Sequence, residues 1–192
     1  MSIVTRTGDD GSTALMYGRR VSKNDPRIHA AGDLDELNAA LGVARASVTD
    51  APLAKRLLEI QNDLIGLMGE LATLPQDRER YARDGLAVLT SASTERLDEW
   101  VHQMESGDRP HKGWAMPGNT APGATLDLAR AVCRRAERSV TAISAAGDPL
   151  NPAILTFLNR LSDLLWLWAR HADRSVKGER HFRPRVARGR LR

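Results

Sequence analysis

The chain has 192 residues, 42% hydrophobic and 4% aromatic, a balance that suits one globular domain with a Leu- and Ala-rich core and favours helices. Its single cysteine, Cys133, excludes an intramolecular disulfide and any cysteine-based zinc site. The net charge of +4 is uneven, because Arg174 to Arg192 holds seven arginines and Lys177 against Glu179 alone, which leaves the body slightly acidic.

Two regions follow from that imbalance: a body over 1–173 and a basic tail over 174–192. A short basic terminus is more often a solubilising end than a nucleic-acid arm, so nucleic-acid binding is not expected. No segment has a signal-peptide layout, and no apolar run reaches the roughly 18 residues of a membrane span. A soluble, cytoplasmic protein is expected.

Along the chain, the first 25 residues are rich in Gly and polar groups, lack a helical period, and read as an ordered loop or short extended arm. Pro26 suits a first helical turn with Asp25 as its cap. Ile28, Ala31, Leu34, Leu41 and Ala44 then recur at helical spacing to about Ser47. A second helix begins near Ala51-Pro52 and carries Leu53, Leu57, Ile60, Leu64, Leu67, Met68 and Leu71. The charged stretch from Pro75 to Gly85 reads as a surface connection.

A third helix spans about Ser93 to Glu105, with Leu97, Trp100, Val101 and Met104 inward. Gly107 to Gly123 is a Gly- and Pro-rich loop. A fourth helix runs from about Ala124 to Ala145, and a fifth opens at Pro152 with Leu155, Leu158, Leu161, Leu165 and Trp168. There is no convincing strand alternation. The expected fold is all-α, a five-helix antiparallel bundle.

On the fourth helix, Leu126, Ala129, Cys133, Ala136, Val140 and Ile143 share an apolar arc, which makes Cys133 a core thiol. Arg130, Arg134 and Arg138 step along a stripe beside it, with Arg135 off the stripe and Glu137 at its border. Like charges at i, i+4 cost a few tenths of a kcal/mol per pair unless something neutralises them. The stripe is either a solvated face or a polyanion site, since Arg forks match phosphate oxygens.

The N-terminal Thr5, Arg6, Thr7, Gly8, Asp9, Asp10, Gly11, Ser12 and Thr13 form the second signal. Two glycines let backbone N–H groups converge among hydroxyls, a phosphate-cradling composition that also fits an ordinary turn. It is not a Walker motif. Lys23 and Arg27 either add positive charge to the loop or stand solvated at a helix start. Asp33, Asp35 and Glu36 are ordinary acids for an early helical turn, but a buried Asp would need a partner such as an arginine of the fourth helix. Asn159 and Asp163 lie one turn apart on the fifth helix. Glu99 and His102 make a single Glu-x-x-His, whereas a di-iron bundle needs two such pairs. No protein-held metal centre is expected.

In order and interval, five segments resemble the PduO-type ATP:cob(I)alamin adenosyltransferase family. They are Thr5 to Thr13, Lys23 to Arg27 (Lys-Asn-Asp-Pro-Arg), Asp35 to Asn38 (Asp-Glu-Leu-Asn), Cys133 to Arg138 (Cys-Arg-Arg-Ala-Glu-Arg) and Leu158 to Asp163 (Leu-Asn-Arg-Leu-Ser-Asp). The match covers about residues 3 to 172. The resemblance implies a homotrimer with active sites between subunits. It implies ATP held by Thr5, Arg6, Thr7, Gly8, Asp9, Gly11, Ser12, Thr13, Lys23, Arg27, Arg134, Arg135, Glu137, Arg138 and Asn159, the loop and the arginine helix coming from adjacent subunits. It further implies Mg²⁺ with the nucleotide, an Asp35–Arg130 salt bridge near the corrin, and transfer of the 5′-deoxyadenosyl group to cobalt with release of triphosphate.

The family's loop Phe, which displaces cobalt's lower ligand, has Trp114 in its place, so the indole either blocks the lower face or alters corrinoid preference. The resemblance also implies a cobalamin reductase and an adenosylcobalamin-dependent enzyme as partners. A non-catalytic ATP or adenosylcobalamin sensor is the alternative reading.

Overall fold

Four of the helices start with the same local chemistry, a polar cap followed within two residues by proline. Asp25 accepts from the Arg27 N–H and Asp50 from that of Leu53; Thr120 accepts from Gly123 and Asn151 from Ala153. The cap oxygen satisfies one otherwise orphaned helix N–H, and proline has none to lose there.

In the computed structural model, which describes residues 6–107, 114–174 and 181–182, the helices are α1 (Pro26–Ser47), α2 (Ala51–Leu71), α3 (Arg78–Arg83), α4 (Ser91–Gly107), α5 (Ala121–Ala145) and α6 (Pro152–Asp173).

Among the described residues there are thus six helices where five are expected. The added one, α3, lies in the stretch read as a surface connection. Its six residues are too few to show a helical period, and its anchor is Tyr81, buried at 6% and donating to the Ala87 carbonyl at 2.9 Å. Two small antiparallel sheets were also not foreseen. One is the hairpin of β1 (Ser12–Ala14) and β2 (Arg20–Ser22). The other pairs β3 (Trp114–Ala115) with β4 (His181–Phe182), which brings two residues of the basic tail back to the long loop.

α1 packs between α2 and α5, α5 packs on α6, and α6 on α4. Cross-helix contacts fix the directions. Asp33 meets Ser139 while Ser47 meets Thr125, so α1 and α5 are antiparallel. Asp127 meets Arg170 while Cys133 meets Leu158, so α5 and α6 are too. The core is a continuous cluster dominated by Leu and Ala from these helices, with Phe157 fully buried in it and the Trp100 and Trp168 rings 5.9 Å apart. Cys133 lies within it as expected, and burial pushes its thiol up to about 12. Among the described residues no helix is long and apolar enough to cross a membrane.

Candidate active site

The hairpin holds the N-terminal loop. Ser12 pairs with Ser22 and Ala14 with Arg20, while the Met16 N–H donates to the Ala72 carbonyl at 2.8 Å and ties the hairpin to the end of α2. Arg19 clasps Asp77 through two bonds, Nε to Oδ2 at 2.7 Å and Nη2 to Oδ1 at 2.8 Å, and this pair holds the Asp77 carboxyl below its usual range.

Within the loop, Gly11 has φ +80, a conformation that favours glycine. Asp10 accepts from the Ser12 hydroxyl at 2.7 Å and from its N–H at 2.9 Å, and these bonds, the side-chain one first, lower its pKa. Arg20 donates to the Thr7 carbonyl at 2.7 Å and to the Ser12 hydroxyl.

Of the two readings open for Lys23, the structure has it beside this loop. Its N–H donates to the Gly11 carbonyl at 2.9 Å, and its Nζ sits 3.2 Å from where a Gly8 Cβ would stand. Any residue but glycine at position 8 would crowd that ammonium and the Ser12 carbonyl. Arg6, Thr7, Asp9 and Lys23 are exposed, Gly8, Ser12 and Thr13 half-buried. Thr5 lies outside the described residues.

Arg27 does not join them. It is 4% exposed, gives Nη1 to the Leu71 carbonyl at 2.6 Å, and pairs Nη2 with Asp148. Placed on the core side of α1, its guanidinium closes the ends of α2 and α5 rather than facing a ligand.

The arginine stripe is a ridge on α5 beside α6. Arg134 and Arg138 are exposed, and Arg138 Nη1 donates to the Arg134 carbonyl at 2.9 Å. Asn159 of α6 reaches across to Glu137, Nδ2 to Oε1 at 3.3 Å, so Glu137 orients Asn159. Arg135 leaves the ridge. Its Nε donates to Asp33 Oδ1 at 2.9 Å and its Nη2 pairs with Glu36, bonds that raise its pKa, Glu36 first. Asp33, half-buried, is thereby paired with an arginine of α5.

Asp35 and Arg130 do not meet within the chain. Asp35 is exposed on the outward side of α1, whereas Arg130 lies on the α6 side of α5 with its Nε 3.8 Å from Asp127 Oδ1. Trp114 is placed by its backbone in β3, which pairs it with Phe182. Sequence reasoning missed the partners Asp127 and Arg170. The available signal was a pair of charges lying inside otherwise apolar arcs.

The architecture defines a helical bundle with two exposed elements that carry cationic side chains: a glycine loop with Lys23, held by α2 and α3, and an arginine ridge on α5 and α6. Residues 3–172 match the family described as cobalamin adenosyltransferase, and the chain belongs to that family. It is 40% identical over 178 residues to a cobalamin adenosyltransferase of Cupriavidus metallidurans, covering 92% of this chain and 90% of that one. A corrinoid adenosyltransferase of Mycobacterium leprae is 38% identical over 173 residues, 89% and 91% of the two chains. Among solved structures, a variant PduO-type ATP:corrinoid adenosyltransferase from Lactobacillus reuteri, complexed with cobalamin and ATP, superposes with a TM-score of 0.86 at 31% identity, covering 95% of this chain and 97% of that one.

Proposed function

We propose that the chain transfers the 5′-deoxyadenosyl group of ATP to the cobalt of a reduced corrinoid. Cob(I)alamin, as substrate, attacks the ribose 5′ carbon; a Co–C bond forms, the C5′–O bond breaks, and its electron pair leaves with inorganic triphosphate. The nucleophile needs no general base, so the protein's work is aim and charge stabilisation. The observation that carries this reading is the exposed pair Arg134 and Arg138 beside Asn159, two guanidinium forks that form no salt bridge among the described residues, the neighbouring Glu137 accepting from Asn159 instead. Such forks suit the charge that builds on a leaving triphosphate.

Opposite them in role, Gly8 and Gly11 let phosphates approach the loop backbone, with Lys23 already over Gly8. Mg²⁺ enters with the nucleotide as part of the substrate. Among the described residues no three His, Cys, Asp or Glu side chains converge on a metal position, and Mg²⁺ beside phosphates asks for only one or two carboxylates, of which the loop offers Asp9.

The same reading makes the enzyme a homotrimer, with the loop of one subunit closing on the ridge of the next. Two features support it. Loop and ridge sit on different walls of one chain, and Val43 of α1 and Leu128 of α5 are both 56% exposed, apolar side chains on the outward faces that a neighbour would cover. Asp35, on that outward side of α1, would then meet Arg130 across subunits. Trp114 would stand at the corrin's lower face. A reductase that supplies cob(I) and an enzyme that uses adenosylcobalamin are the partners this chemistry requires.

The test is incubation with ATP, Mg²⁺ and chemically reduced cobalamin, following both the alkylcobalamin absorbance and triphosphate. Turnover is expected. ATP binding by folded protein with no triphosphate released would instead mark a non-catalytic sensor.

A further inference from the structure

Where the start of α5 meets the end of α6, a run of charged side chains passes through the interior. Arg170, 3% exposed, pairs with Asp127 at 6% and, 3.1 Å away, with Asp173 at 2%. Thr120, the cap of α5, donates Oγ1 to Asp173 Oδ1 at 3.1 Å. Asp127 turns its other oxygen, Oδ1, toward Arg130 Nε at 3.8 Å. The sequence Thr120, Asp173, Arg170, Asp127, Arg130 therefore links the end of the loop that begins at Trp114 to the first arginine of the stripe.

Local structure is shaped around it. A Cβ on Gly123 would lie 2.8 Å from Asp173 Cγ and 2.9 Å from Thr120 Oγ1, so only glycine admits the carboxylate to the N-terminus of α5. There the helix dipole also favours a negative charge.

Such a cluster is a poor device for stability alone. Each buried ion costs several kcal/mol of desolvation, and well-packed apolar side chains hold helices together as well or better. Its geometry suggests another use. Arg130 Nε is buried and, at 3.8 Å, too far from Asp127 for a hydrogen bond. Asp127 thus steers the guanidinium by charge and leaves its outer N–H groups uncommitted, on a side chain one-third exposed. Burial raises the Asp127 pKa, and Arg170 first, then Arg130, draws it back toward the anion.

We propose that Asp127, held by Arg170, is a positioning residue that sets Arg130 and the 114–120 loop as one unit toward the corrinoid. The inference rests on the reading of Arg130 as a corrinoid-side residue. If it holds, the cluster governs how the corrinoid is met and leaves the nucleotide contacts of Arg134, Arg138 and Lys23 alone.

Steady-state kinetics with pre-reduced cobalamin, run on Asp127→Asn, Arg130→Ala and the parent enzyme, test it. Asp127→Asn is expected to raise the corrinoid KM roughly tenfold while the ATP KM stays within about twofold. Unchanged constants in a folded Asp127→Asn protein overturn the proposal, as does a parallel rise in both KM values, which a merely structural role would give. If Arg130→Ala itself leaves the corrinoid KM unchanged, the assignment of Arg130 is what fails. Should Asp127→Asn not fold, the combined Asp127→Asn, Arg170→Met, Asp173→Asn variant removes the buried charges together and is read by the same split.

Discussion

The arginines of this protein fall into two groups that share a side chain and little else. Arg27 and Arg170 are 4% and 3% exposed, each bound to groups from distant parts of the chain. Arg134 and Arg138 are exposed, with Arg138 Nη1 on the Arg134 carbonyl as their shared contact. The closed group ties helix ends together. The open group keeps most of its N–H donors toward solvent. Partner supply separates them, since a guanidinium whose N–H groups already meet carbonyls and carboxylates has none to offer a phosphate.

Removing one arginine from each group should give opposite losses. Arg134→Ala should lower kcat/KM by about 10²-fold or more, by analogy with loss of one preorganised donor to developing charge. Its thermal midpoint should stay near that of the parent, because an exposed side chain is deleted. Arg27→Met should do the reverse. Leaving the Leu71 and Thr73 carbonyls and Asp148 short of a donor costs roughly 2–4 kcal/mol of stability, read as a lower denaturation midpoint with near-parent kinetics in the folded fraction. Equal kinetic losses in both variants would erase the distinction.

A smaller effect sharpens the same contrast at the hairpin. The Arg19 contact holds the Asp77 pKa below its ordinary value of 3.8. The pair therefore contributes fully above that value and is lost as pH falls through the depressed folded pKa. Protease resistance of the hairpin should be flat from neutral pH to about pH 4 and decline below it. Asp77→Asn should show the weakened hairpin at every pH, together with a raised ATP KM, because the hairpin carries the loop that holds Lys23.

Much of this was legible in the sequence where a residue's fate depends on near neighbours. The long helices follow from apolar recurrence, and the caps from Asp25-Pro26 and Asn151-Pro152. Arg135, off the stripe by its angle alone, is found on α1 with Asp33 and Glu36. Legibility ended where partners are remote. The sequence leaves Arg27 between the loop and a solvated helix start, because its partner Asp148 stands 121 positions away. Asp127 and Arg170, 43 positions apart, were missed for the same reason. The three-residue strands of the hairpin and the six residues of α3 carry too few side chains to establish a period. Near neighbours also bring Lys23 to the glycine loop and set Arg134, Arg138 and Asn159 along one ridge.

On the proposed function, the loop of one subunit and the ridge of another make one site, and subunit mixing separates this from a site within one chain. Lys23→Ala and Arg134→Ala proteins, each weakly active alone, are unfolded together in equal amounts and refolded. Random assembly leaves about one site in four with an intact loop facing an intact ridge, so activity should recover to about a quarter of the parent value. If loop and ridge served the same subunit's site, every site would carry one defect, and the mixture would be no more active than the average of the two variants.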